Sequence, residues 1–219
     1  MKKMTTTMRT MTAMMLGLAI LGASEASAAP LVFFGSDGGA GETNNLGDTI
    51  AISQHPGWAN PYDSTSWVSY GNTGNPSSPG YTVAPNGTVV SFYDSFFLPS
   101  ATDVTGWLRV MADDSASVYL NGTLLMPEAP QFGNPYATCS NTPIGCLDST
   151  AVVLDITPLL QAGNNNLLFN VGQRAGSSLG LNYYGEVNQV PEPASMILIG
   201  TGLLGIAARA RKRYPASRA

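Results

Sequence analysis

Residues 107–125 read WLRVMADDSASVYLNGTLL, and this stretch decides the fold class. Along 107–111 the side chains alternate, with Trp107, Arg109 and Met111 on one face and Leu108 and Val110 on the other. That is the period of a strand with one face in a core. Asp113-Asp114 interrupts the run, and two β-prone segments, 117–120 and 123–126, then flank Asn121-Gly122. Asn-Gly between such segments is a strong hairpin signal, because both central residues of the tight turn need positive φ. The stretch reads as strand, acidic interruption, hairpin.

Outward from it, short apolar runs rich in β-branched and aromatic residues are separated by Gly, Pro, Asn, Asp and Ser. They place further strands at 31–34, 66–70, 88–98, 106–111, 151–156, 166–171 and 179–184. With the hairpin this makes nine short strands, which predict an all-β sandwich over 29–187. Residues 155–162 (DITPLLQA) predict a short helical turn with Pro158 near its start, ended by Gly163. Residues 35–41 (GSDGGAG) lack the dinucleotide spacing and read as a flexible loop.

Charge divides the 219 residues into three parts, net +2 over 1–28, −10 over 29–190 and +4 over 191–219. An acidic centre excludes a basic nucleic-acid binder, so no nucleic-acid partner is expected. Basic, apolar ends around an acidic domain are the layout of an exported chain. Lys2, Lys3 and Arg9 precede the apolar stretch 11–23, and Ala26-Ser27-Ala28 supplies a small-residue cleavage pattern. Residues 1–28 therefore read as a signal peptide with an N-terminal signal helix, cleaved after Ala28.

At the other end the linker 188–193 contains Pro191-Glu192-Pro193, followed by the apolar segment 194–208 (ASMILIGTGLLGIAA). A basic tail, 209–219, opens with Arg209, Arg211, Lys212 and Arg213. The prolines hold the backbone extended and accessible. The apolar segment predicts a short hydrophobic helix, brief for a hydrocarbon core of roughly 30 Å. The basic cluster stays cytoplasmic by the positive-inside rule, which leaves the acidic domain outside.

This tripartite end resembles the PEP-CTERM sorting signal of bacterial envelope proteins. The resemblance implies recognition by an exosortase-type membrane enzyme, an inner-membrane intermediate held through the C-terminal segment, then release to or attachment at the cell surface or exopolysaccharide matrix. Residues 214–219, which run on past the basic cluster, depart from the usual pattern. Residues 107–125 and 153–173 (VLDITPLLQAGNNNLLFNVGQ), more loosely joined by 55–58 and 66–69, resemble core strands of galactose-binding-like jelly rolls. That resemblance implies a jelly-roll-like ectodomain and marks fold rather than ligand.

Candidate sites are few. Cys139 and Cys146, in a chain bound for an oxidising compartment, predict a local disulfide. Asp113 and Asp114 are either Ca²⁺ ligands or turn caps. Trp58, Tyr62 and Trp67 are either a sugar-stacking platform or core filling, and Tyr183-Tyr184 supports the same two readings more weakly. His55 is the sole histidine, and no nucleophile elbow accompanies it. Asp113, Asp114, Asp148 and Asp155 are the acids available for paired-carboxylate chemistry. The first reading is a non-enzymatic envelope protein with a structural or adhesive role and no cofactor beyond the Ca²⁺ candidate. The alternative is a carbohydrate-binding module for a polysaccharide, and the third is a glycoside-acting enzyme.

Overall fold

Alternation along the long strands builds two faces that must meet. The computed structural model describes residues 30–39, 41–128, 144–174, 176–190, 200, 202–206 and 209. Among them are β1 (Pro30–Gly35), β2 (Thr43–Asn44), β3 (Gly47–Asp48), β4 (Ile50–Ala51), β5 (Val68–Ser69), β6 (Val89–Leu98), β7 (Val104–Asp113), β8 (Ser115–Leu120), β9 (Thr123–Met126), β10 (Val152–Asp155), β11 (Gly163–Gly172) and β12 (Gly180–Gln189). They form two six-stranded antiparallel sheets. The first runs β10-β7-β12-β5-β4, with β1 also paired to β12; the second runs β3-β2-β6-β11-β8-β9.

The inward residues Leu108 and Val110 of β7 and Leu181 and Tyr183 of β12 face Val90 and Phe92 of β6 and Phe169 and Val171 of β11 in one buried cluster. Rings lock the layers together: Phe169 and Tyr183 stack at 4.5 Å between centroids, and Phe34 and Phe96 at 4.0 Å. Gly185 takes an inward position of β12 because a Cβ there would lie 2.3 Å from Phe34 Cζ. The chain changes sheet between β7 and β8 across Asp114 alone. The expected hairpin joins β8 and β9, with φ of 51° at Asn121 and 77° at Gly122. The expected helical turn is a 3₁₀ turn, Thr157–Leu159.

Run 66–70 departs from expectation and yields only the two-residue β5. Its flanks bond to loops instead: the Ser66 N–H donates to the Ser36 carbonyl, and the Trp67 carbonyl accepts from the Ile52 N–H. Strand β12 runs on to Gln189, since both β1 and β7 extend alongside it. A second buried cluster, Trp58, Trp67, Met111 and Cys146, covers part of the outer face of the first sheet.

The expected Cys139–Cys146 bond lies outside the described residues at Cys139. So do the signal helix with Ala26 and Ala28, the Pro191-Glu192-Pro193 motif, and Arg211, Lys212 and Arg213. Of the C-terminal apolar segment, residues 200 and 202–206 are helical, as is Arg209 after it, and Leu203, Leu204 and Ile206 are exposed. Among the described residues no helix is long and apolar enough to cross a membrane.

Candidate functional site

The outer face of the first sheet gathers aromatic and charged side chains by register. Antiparallel pairing sets Tyr184 opposite Arg109 and Glu186 opposite Trp107, while Phe33 of β1 faces Glu186 on the far side of β12. The loop before β5 lays Tyr62 across this face. Its ring centroid is 5.0 Å from that of Tyr184 and 6.1 Å, edge-on, from that of Trp107. The Arg109 guanidinium lies 4.9 Å from the Tyr62 centroid and pairs with Asp148 at 2.6 Å. The Tyr184 hydroxyl donates to Glu186 Oε1 at 2.7 Å, and burial together with that carboxylate pushes its pKa well above the usual phenol value. Phe33 is 69% exposed and Tyr62 40%, so the face shows water an aromatic surface with polar edges.

Of the two readings open for Trp58 and Trp67, platform or core filling, the structure takes the second: they are 5% and 1% exposed. Both indoles find their hydrogen-bond partners inside, Trp58 Nε1 donating to Asp113 Oδ2 at 2.8 Å and Trp67 Nε1 to the Ala59 carbonyl at 3.0 Å. Their rings pack 4.3 Å apart over Met111. Of the predicted aromatic group only Tyr62 reaches the surface. It is joined there by the half-buried Trp107, which alternation had placed on a face without marking it as a site, and both pack against the buried ring of Tyr184.

Asp113 is buried, and burial followed by the neighbouring Asp114 charge raises its pKa well above the usual carboxylate range. Burial also lifts Asp114, to about 6, although the Arg174 backbone N–H donates to its Oδ2 at 2.6 Å. Among the described residues no group of three or more His, Cys, Asp or Glu side chains is placed to hold a metal ion. Asp148 is taken up by Arg109, and Asp155 accepts from the Thr157 N–H at 2.9 Å. His55 Nδ1 accepts from the Gly57 N–H at 3.0 Å within its loop.

A cleft of about 310 Å³ adjoins the aromatic face and shares Phe33 and Tyr184 with it. Its inner wall combines the stacked Phe34 and Phe96 with the carboxyls of Glu42 and Asp94. The Tyr183 hydroxyl lies between those carboxyls, 2.8 Å from Glu42 Oε1 and 2.8 Å from Asp94 Oδ2. Backbone N–H groups of Asp37 and Gly38 hold Glu42 at 3.1 and 2.8 Å, and that of Ser95 holds Asp94 at 2.7 Å. Burial is the main cause lifting both carboxyls above their usual range, partly offset by Tyr183, while neighbouring carboxylates push the same way as burial. Sequence reading missed this pair. The available signal was the parity of β6, where Val90, Phe92, Phe96 and Leu98 are buried and Asp94 takes the inward place between them.

A search of the curated proteins found no match. Parts of the chain are similar to solved structures of three bacterial glycosidases. The Streptomyces avermitilis α-L-rhamnosidase complexed with L-rhamnose is 18% identical over 58% of this chain and 11% of that one, with a TM-score of 0.41. A β-glucuronidase from Ruminococcus gnavus, in complex with an N1-substituted uronic isofagomine, is 15% identical over 48% of this chain and 21% of its own, at 0.34. A β-glucuronidase of an uncultured Clostridium sp. is 18% identical over 45% and 19%, at 0.31. This chain thus spans about a fifth or less of their lengths. Residues 189–212 match the PEP-CTERM protein-sorting motif, so the chain carries the sorting signal of an exported protein that passes the membrane toward the cell surface.

Proposed function

We propose that this is a non-enzymatic envelope protein with a structural or adhesive role, whose jelly-roll-like ectodomain is delivered by its two ends. Residues 1–28 direct export, 194–208 hold an inner-membrane intermediate, and an exosortase-type enzyme acts at Pro191-Glu192-Pro193 to leave 29–187 at the cell surface or in the extracellular matrix. The observation that supports this is the motif match at 189–212, which begins at the last residue of β12 and sets the signal directly behind a folded sheet. Intact mass and cell fraction, compared between a host with its exosortase and the same host without it, test the reading. Loss of the C-terminal segment only where the enzyme is present supports it; the same C-terminus in both strains overturns it.

A second reading makes the adhesive contact a polysaccharide laid on the aromatic face. Tyr62 and Trp107 favour it, since partly exposed rings packed against the buried Tyr184 and edged by Arg109 and Glu186 offer stacking surface beside hydrogen-bonding groups. Affinity electrophoresis against a panel of polysaccharides should show retardation that Tyr62→Ala weakens by about tenfold, the equivalent of roughly 1.4 kcal/mol. An unretarded wild-type chain sinks this reading and leaves the sorting one standing.

A further inference from the structure

The cleft beside the aromatic face holds negative charge that the domain leaves unbalanced. Between residues 29 and 190 the sequence has two basic residues, Arg109 and Arg174. Neither lines the cleft, and both have carboxylate partners elsewhere, Arg109 with Asp148 and Arg174 with Glu128. Asp37, Glu42 and Asp94 line it without any cation. Hydrogen counting shows the same deficit. Tyr183 carries one hydroxyl hydrogen, yet its oxygen meets a carboxyl oxygen on each side. With both carboxyls ionised, that hydrogen serves only one of them, and a cationic donor in the cleft would compensate the charge of the other. An ammonium group has three N–H donors and no acceptor.

The rest of the lining selects what carries that ammonium. Phe34 and Phe96 give the cleft apolar ring walls, while Ser64, Thr65 and Ser95 offer hydroxyls on its rim. Its volume of about 310 Å³ lies at the small end of ligand clefts, room for one ring rather than a chain. The shared Phe33 and Tyr184 make it continuous with the face on which a glycan would lie. We propose that this cleft binds a protonated amino group carried on a sugar ring, a de-N-acetylated hexosamine unit of a glycan stacked along the aromatic face. The proposal rests on the polysaccharide reading of that face. Burial raises Glu42 and Asp94 above the usual carboxylate range, and an incoming ammonium favours their ionised forms, so binding releases protons.

Calorimetric titration of the full-length chain in mild detergent tests it, using a glucosamine hexamer and its fully N-acetylated counterpart near neutral pH. The amine form should bind about tenfold more tightly at low ionic strength. That preference should shrink in about 1 M salt, where the screening length falls to roughly 3 Å. Asp94→Asn keeps the shape and removes the charge, so it should abolish the preference and leave the N-acetylated affinity unchanged; Glu42→Gln is the second variant if Asp94→Asn lowers the melting temperature. Equal binding of the two hexamers by the wild type, or a preference that survives both variants, overturns the proposal. Tyr62→Ala separates the two readings. It should weaken both hexamers alike, and if it changes neither while Asp94→Asn still removes the preference, the face reading fails and the cleft stands. If the wild type binds neither hexamer, both fall.

Discussion

A single hydrogen bond ties the two buried features of the first sheet together. Trp58 donates to Asp113 from a position 55 residues earlier in the chain, and its ring packs on Trp67. Trp58→Phe keeps the ring contact but leaves a buried carboxyl without its donor. It should cost about 1–3 kcal/mol in urea unfolding, and a change below a few tenths would mean that water replaces the indole. The same carboxyl sets a pH dependence. Glu42, Asp94, Asp113 and Asp114 are all raised in the folded protein, Asp114 to about 6, so the native state holds protons that the unfolded chain releases near pH 4. Their stabilisation is complete below that pH and is lost as pH rises through about 6, and further where Asp113 ionises. The melting temperature should therefore peak in mild acid and fall toward neutrality, with Asp113→Asn flattening the slope. A wild-type Tm that rises between mild acid and neutrality contradicts this. The sequence displayed Asp113, Asp114 and both tryptophans as separate local signals. Their meeting was not legible, because only the folded loop before β5 brings Trp58 to the end of β7.

Elements whose specification is local were readable, and those held by distant partners were not. The β8–β9 hairpin rests on Asn121-Gly122, and among the described residues beyond its chain neighbours nothing lies within 4 Å of a Cβ placed at Gly122. Gly122→Ala should therefore cost only left-handed backbone strain, roughly 1 kcal/mol. Gly185→Ala differs in kind. Its methyl would sit 2.3 Å from Phe34 Cζ and 3.0 Å from the Trp107 carbonyl, so β1 must shift and Phe34 must leave Phe96. The expected loss is about 1–3 kcal/mol in denaturant, with a changed near-ultraviolet circular dichroism signal from the displaced rings. A spectrum identical to wild type would show that the packing there is looser than the distances imply. Strands β2, β3 and β4 have two residues each and left no periodic trace; Thr43 is fixed by pairing with Tyr93, and Ile50 by pairing with Ser69. The cleft inherits that difficulty on one side only. Glu42 precedes β2 in a loop, whereas Asp94 lies in a ten-residue strand whose alternation carried an unread signal that it points inward.

At the scale of the whole molecule the two ends and the sandwich solve different physical problems. The acidic, well-packed domain is suited to water. The helical residues 202–206 expose Leu203, Leu204 and Ile206, a surface that favours apolar surroundings. In the proposed sorting route processing separates these parts, and the chain between the last strand residue, Gln189, and the apolar segment holds both prolines of the motif. Proline at 191 and 193 denies that segment two backbone N–H donors and keeps the residues before each proline extended, so neither a longer β12 nor an upstream extension of the helix can absorb the motif. Replacing Pro191 and Pro193 together by Ala restores both donors and lets the helix grow back toward the sandwich. The sandwich itself should be untouched, since the motif follows its last strand. The double variant should therefore melt like the wild type yet accumulate at full C-terminal length in the inner-membrane fraction of a host with its exosortase. A variant that reaches the surface at wild-type mass would show that the enzyme reads Glu192 or the apolar segment without needing the extended backbone.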